Sequence, residues 1–308
     1  MKIGWLLLSM MCCGLMLGGA KAEESRKLLE ARESLYNNIY VYEQGDFVSM
    51  TFGYNRRIYT ESVFHRSDDR ELPVSYTRYM TAGLIYAGSV TSVLEIGFGG
   101  GRTAWYLHRL LPQVPVTSVE LDPAVVDLAR KHFGIREEPN FRLVTRDGRL
   151  FLAESKERFD IIMIDAYRGP FVPFHLLTRE FYELVKAHLA EGGVVVQNIE
   201  PSTMLFDSAV ETINTVFPHL DFYESDGNVV TLAYGGQAKS PEDLDRQASL
   251  RQQAFQPRYD LQQMLARRRP YLAKTGMIDA KAKLLTDDFA PVEALKSIEM
   301  HNRKWVGQ

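Results

Sequence analysis

Cysteine is almost missing from this sequence: its 308 residues include only Cys12 and Cys13, side by side. Two neighbours cannot staple distant parts of a fold, so a disulfide framework or a cysteine-ligated zinc site in the main body is excluded. Histidine is sparse as well, with seven residues. His65, His108, His132, His175 and His188 are scattered without metal-ligand spacing, and no metal is expected. There is no basic excess: 36 Lys and Arg stand against 39 Asp and Glu, a formal net charge of −3. A nucleic-acid-binding domain would show a pI above about 9. Beyond the first residues, no apolar run approaches the roughly 20 residues of a membrane-spanning helix. What the chain does have is 45% hydrophobic and 24% charged residues, the balance of a folded body of one large domain or two smaller ones.

The single apolar run stands at the start. Lys2 precedes an uncharged stretch, residues 3–20, which leads into Ala20-Lys21-Ala22. A basic start, apolar middle and A-x-A exit predict a signal peptide over residues 1–22, cut before Glu23. The mature protein would then be periplasmic or secreted and free of cysteine, as suits an oxidising compartment. An uncleaved anchor is the alternative, although Gly4, Gly14, Gly18 and Gly19 dilute the run.

After the leader, the expected organisation has three parts. Residues 23–72 form an N-terminal helix and a small antiparallel β-domain, with strands suggested by Ile39, Val41, Phe47, Val48, Met50 and Phe52. Residues 73–236 form a Rossmann-like nucleoside-binding domain, and residues 237–308 a helical extension in which Arg267-Arg268-Arg269 is a solvated face. The central part opens with apolar residues at helical spacing over 72–87. Strands then alternate with helices: strands over 92–96, 116–120, 141–145, 159–164 and 194–196, and helices over 178–189 and 202–217. A hairpin about Asp226-Gly227-Asn228 closes it. This is an α/β protein with a doubly wound, mostly parallel sheet and an antiparallel edge.

Ligands of such sheets bind at the carboxyl ends of the strands. Gly97, Gly99 and Gly101 form the first strand–helix turn, with Glu95 just ahead. Glu120 ends the second strand with Asp122 two residues on, Asp147-Gly148 ends the third, and Asp165 ends the fourth. A carboxylate in the position of Glu120 grips the two hydroxyls of a ribose. Each residue also has a plainer explanation, in that glycines serve tight turns and Glu120, Asp147 or Asp165 can cap a helix or turn. The glycine turn lacks the Gly-Lys-[Ser/Thr] ending of a phosphate-binding P-loop.

The runs Val93-Leu-Glu-Ile-Gly-Phe-Gly-Gly-Gly-Arg102, Val119-Glu-Leu-Asp-Pro123, Arg146-Asp-Gly-Arg-Leu-Phe151 and Asp160-Ile-Ile-Met-Ile-Asp165 resemble spermidine synthase, the polyamine aminopropyltransferases. Ser34-Leu-Tyr-Asn-Asn-Ile-Tyr-Val41 and Leu285-Thr-Asp-Asp-Phe-Ala-Pro-Val-Glu293 extend the resemblance over nearly the whole mature chain. It implies a class I methyltransferase-like Rossmann domain behind a β-domain. It also implies an adenosyl sulfonium cofactor, decarboxylated S-adenosylmethionine or S-adenosylmethionine, contacted by Asn37, Glu95, Gly97, Gly99, Gly101, Glu120, Asp147 and Gly148. Asp165 is the implied base with Tyr76 beside it, and Tyr167 and Arg168 the implied amine contacts. The sequence departs from the family where Gly100 replaces an aspartate, where Tyr76-Thr77-Arg78 replaces Tyr-His-Glu, and where Arg168 replaces the second acid of Asp-x-x-Asp. If Arg78, Arg102 and Arg168 point inward they repel a diamine.

Three functions stay open on these residues. One is aminopropyl transfer to an altered amine. A second is methyl transfer from S-adenosylmethionine, with Arg102 meeting the methionine carboxylate. The third is exported, non-catalytic binding of a nucleoside or polyamine. The expected partner is a small-molecule amine, in a homodimer, without nucleic acid and without membrane attachment once the leader is cut.

Overall fold

The computed structural model describes residues 25–54, 57–169, 171–271, 278–279 and 282–288. The expected leader lies outside them. The first sheet is antiparallel, in the order β1 (Lys27–Glu33), β2 (Asn38–Gln44), β3 (Phe47–Tyr54) and β4 (Arg57–His65). β1 corrects the expected N-terminal helix. Lys27-Leu-Leu-Glu-Ala-Arg-Glu33 is rich in helix formers, yet it pairs along the length of β2. Local propensity is weak, and cross-strand pairing overrides it. Between β3 and β4, Met50 faces Ser62 while Thr51 faces Thr60. Glu61 is therefore an extra residue, bulged out of the ladder.

The apolar stretch over 72–87 forms two short helices, α1 (Ser75–Met80) and α2 (Gly83–Tyr86). Between them the N–H groups of Thr81 and Ala82 close back on Arg78 and Tyr79. Strand and helix then alternate through β5 (Val93–Ile96), α3 (Arg102–Leu110), β6 (Val116–Glu120), α4 (Pro123–His132), β7 (Phe141–Thr145) and α5 (Gly148–Glu154). They continue through β8 (Phe159–Ile164), α6 (Arg179–Ala187), β9 (Leu189–Ile199), α7 (Phe206–Val216) and the hairpin β10 (His219–Ser225) and β11 (Asn228–Tyr234). The order of this second sheet is β12-β10-β11-β9-β8-β5-β6-β7, where β12 is Arg269–Pro270. It is parallel from β9 to β7 and antiparallel beyond β9. β5 and β8 are buried along their whole length, as central parallel strands covered on both faces must be.

One face of this sheet shares its core with the first sheet: Val41, Met50 and Phe64 pack in one cluster with Tyr86, Trp105 and Phe133. The other face is filled by Phe181, Tyr182 and Phe217. The expected helical extension holds α8 (Pro241–Phe255) and α9 (Leu261–Leu265), then gives way to β12. Its arginine run is not a uniform solvated face. Arg268 is 15% exposed and pairs at 2.8 Å with the buried carboxylate of Asp221, while Arg269 pairs with Glu224. A buried carboxylate left unpaired at the sheet edge would be strongly destabilising. Residues 282–288 cross α5 and α6: Arg149 grips both oxygens of Asp287, and the N–H of Arg179 meets the carbonyl of Leu285 at 2.8 Å. Among the described residues, no helix is long and apolar enough to cross a membrane.

Candidate active site

The chain runs outward from β5 to β6 and β7, then returns to β8 on the other side of β5. A crevice opens at such a reversal. Here it is a cavity of about 790 Å³, covered by Glu61, Ser62 and Val63 of β4 and by residues 72–77. That volume suits a small-molecule ligand. Beyond β5 the chain turns at Gly97 with φ of 89°, where a Cβ would lie 2.3 Å from the carbonyl oxygen of Asp165. Only glycine fits there. Gly99 and Gly148 also line the cavity. Gly101 stands behind it as the N-cap of α3.

Glu120 ends β6 and reaches back to the glycine turn. Its Oε2 accepts the N–H of Phe98 at 2.9 Å and of Gly99 at 3.3 Å, and its Oε1 that of Asp122 at 3.0 Å. Burial raises its pKa, opposed by those three bonds. A carboxylate has about four acceptor positions, so Glu120 is fixed in advance and keeps one on Oε1 for a ligand hydroxyl. Asp122 caps α4 through the N–H of Ala124 and accepts Ser34 Oγ at 2.5 Å and Asn37 Nδ2 at 3.3 Å. Asn37 thus lines the cavity, but its amide nitrogen fastens the first sheet to α4. Asp147 both lines the cavity and caps α5, through the N–H of Leu150 at 2.9 Å. Its other oxygen lies 2.9 Å from His175 Nε2, and this contact holds the carboxyl below its ordinary range.

Asp165 follows β8. Its Oδ2 accepts the hydroxyl of Tyr76 at 3.1 Å and its Oδ1 the amide of Asn198 at 3.0 Å. It lines the cavity. Burial, partly offset by the two bonds, lifts its pKa to about 6. Asn198, from β9, is oriented in turn by the amide of Asn228 at 3.0 Å. The hydroxyl of Tyr167 donates to the main-chain oxygen of Asn198, so this ring lines the cavity with its polar end already engaged. Burial first, then the neighbouring Asp165, raises the pKa of Tyr76 and Tyr167, which therefore remain donors. Arg168 is exposed at the rim.

Two residues with no place in the sequence reading join this set. Asn198 is the penultimate residue of β9, and the strand-end rule would have pointed to it had the expected strand not stopped at 196. Glu61 has no sequence signal, because the bulge shifts the alternation of β4. Burial and then the charges of Asp165, Glu120 and Glu200 push its carboxyl well above the usual range.

The structure also redirects the arginines. Arg102 is buried, stacks on Phe64, and donates to the carbonyls of Phe133 and Asp69. It offers no fork to a ligand carboxylate. Arg78 donates to the carbonyl of Leu72 and lies over Tyr259. Glu95, 3% exposed, takes the hydroxyl of Ser118 at 2.5 Å and the N–H of Ala104. It anchors the first turn of α3 and lines the floor of the cavity. Away from the cavity, ligand-type atoms of His65, Asp68 and Glu71 lie within 4.8 Å of one another. These groups satisfy each other and Arg258: His65 pairs with Glu71, and Asp68 with Arg258.

Residues 75–225 match the spermine/spermidine synthase domain. The chain is 30% identical over 279 residues to a polyamine aminopropyltransferase of Vibrio vulnificus, covering 87% of this chain and 91% of that one. In structure it is similar to a probable spermidine synthase from Corynebacterium glutamicum, with a TM-score of 0.64 at 18% identity over 85% of this chain and 97% of that one. It is also similar to human methyltransferase-like protein 13 in complex with SAH, with a TM-score of 0.53 at 22% identity over 66% of this chain and 97% of that one. At those identities the two structures share the fold alone.

Proposed function

We propose that this chain, which belongs to the spermine/spermidine synthase family, transfers an aminopropyl group from decarboxylated S-adenosylmethionine to a small amine. The observation that carries this is Asp165, a carboxyl with its pKa lifted to about 6 and steadied from two sides, on the wall of the cavity that also holds Glu120. The donor supplies a carbon made electrophilic by the adjoining sulfonium. Glu120 takes a ribose hydroxyl on Oε1, and Asp147 with Gly148 borders the adenine. Asp165 takes the proton of the attacking nitrogen as the N–C bond forms and the C–S bond breaks, releasing a thioether nucleoside. A base of this pKa is ionised at neutral pH and still accepts a proton readily.

Incubation with decarboxylated S-adenosylmethionine and a panel of amines should give an aminopropylated amine and methylthioadenosine. Because the base must be deprotonated, kcat/KM should rise with pH about a midpoint near 6. Methylated amine in place of that product, or a flat profile through this range, overturns the proposal.

Export belongs to the same reading, supported by the basic, apolar and A-x-A order of residues 2–22. N-terminal sequencing of the purified mature protein should begin at Glu23. An intact Met1 terminus would remove the leader.

A further inference from the structure

The cavity has a donor side, bounded by the glycine turn and Glu120, and an acceptor side, bounded by Asp165, Tyr76 and Tyr167. β4 comes down where the two sides meet, with Ser62 at the glycine turn and Glu61 in the field of both Asp165 and Glu120. Ser62 Oγ accepts the N–H of Gly100 at 2.8 Å, and a Cβ on Gly100 would lie 2.7 Å from the Cβ of Ser62. At position 100 the glycine turn therefore cannot carry a side chain, and the turn itself supplies no charge there. The bulge supplies one. Glu61 faces no partner on β3, and a bulge re-aims the side chain that it carries. Glu61 and Ser62 both line the cavity, although neighbours on a regular strand point to opposite faces. Among the described residues no hydrogen-bond donor meets the Glu61 carboxyl, which stands in the field of Asp165 and Glu120. A cation between these carboxyls relieves the repulsion.

We propose that Glu61 receives the ammonium of the donor's aminopropyl arm, and so selects the decarboxylated sulfonium nucleoside over the carboxylated one. The inference rests on the aminopropyl-transfer reading and deepens it to one residue. The carboxylated form would bring a carboxylate against Glu61, and Arg102, at the start of α3, already serves two main-chain carbonyls. Selection thus comes from attraction of one donor and repulsion of the other.

Calorimetric titration of the mature protein with decarboxylated S-adenosylmethionine, S-adenosylmethionine and methylthioadenosine tests this. Methylthioadenosine lacks the charged arm and reports the nucleoside cradle alone. Glu61→Gln keeps size and hydrogen bonding and removes the charge. It should weaken the decarboxylated donor by about 10- to 100-fold, leave methylthioadenosine within about twofold, and erase the preference over S-adenosylmethionine. Glu61→Asp, with the carboxylate withdrawn by one methylene, should fall between. If both variants bind methylthioadenosine and keep full affinity for the decarboxylated donor, Glu61 is not the selector and the nucleoside site stands. If the unaltered protein binds no methylthioadenosine, the aminopropyl-transfer reading fails and this inference falls with it.

Discussion

Asp165→Asn should lower aminopropyl transfer by about 10²-fold or more and, at neutral pH, raise the melting temperature. The loss follows from removing a general base, worth about 10²–10⁴ in rate. The gain follows from the cost of ionising that base inside the protein. Burial lifts the Asp165 pKa from 3.8 to about 6, so between these values the folded state holds a proton that the unfolded chain releases. Stability falls as pH rises through this window and stays lower above it. At about 1.4 kcal/mol per pKa unit, the carboxylate costs up to about 3 kcal/mol above pH 6. Asparagine escapes that cost and still meets both neighbours, taking the Asn198 amide on its oxygen and giving its own amide hydrogen to Tyr76 Oη. The melting temperature should therefore rise by on the order of 5 °C at pH 7.5, and converge with the parent near pH 4. Full turnover by the folded variant would end the proposal of a base. A melting temperature no higher than the parent's at pH 7.5 would mean that the carboxylate is well solvated.

Gly97→Ala should be the more disruptive change. It forces a side chain onto φ of +89° and places a Cβ 2.3 Å from the carbonyl oxygen of Asp165 and 2.6 Å from Ala166 Cα. Both obstacles are main chain, so no rotamer change relieves them. The end of β8 must move, and the Asp165 carboxyl moves with it. Misplacement by about 1 Å can cost about 10²-fold in rate, and strain combined with the clash should destabilise by more than about 3 kcal/mol. Gly227→Ala is the control. Its φ is +88° with no atom within 4 Å of the added Cβ, so it isolates the backbone term, about 1–2 kcal/mol. Activity and melting measured on both variants separate conformation from collision. Equal effects at the two positions would contradict the close approach at Gly97.

How far the sequence could be read depended on what each pattern encodes. β5 and β8 were legible because central parallel strands are continuous apolar runs, and the ends of β6, β7 and β8 put Glu120, Asp147 and Asp165 along one edge. β1 was not, because Lys27-Leu-Leu-Glu-Ala-Arg-Glu33 carries a helical composition and its pairing with β2 is non-local. The bulge at Glu61 is invisible for a related reason: a single extra residue changes which side chain faces inward without changing composition. The direction of the arginines was left open by the sequence. Arg102 is cationic and lines the cavity, yet two main-chain carbonyls absorb it. A sequence gives the charge of a side chain, while only the fold tells where that charge points.

The grip of Arg149 on Asp287 joins residues 138 apart in the chain. Arg149 also donates to the carbonyl of His175 and the hydroxyl of Thr178, so this one guanidinium braces the corner where His175 meets Asp147. During synthesis from the N-terminus, every strand from β1 to β12 leaves the ribosome before Asp287 does. The entropy of closing so long a loop grows only logarithmically with its length, but contacts at that separation form late. This corner of the cavity is therefore braced last, and its rigidity distinguishes a chain carrying Asp287 from one cut short before it.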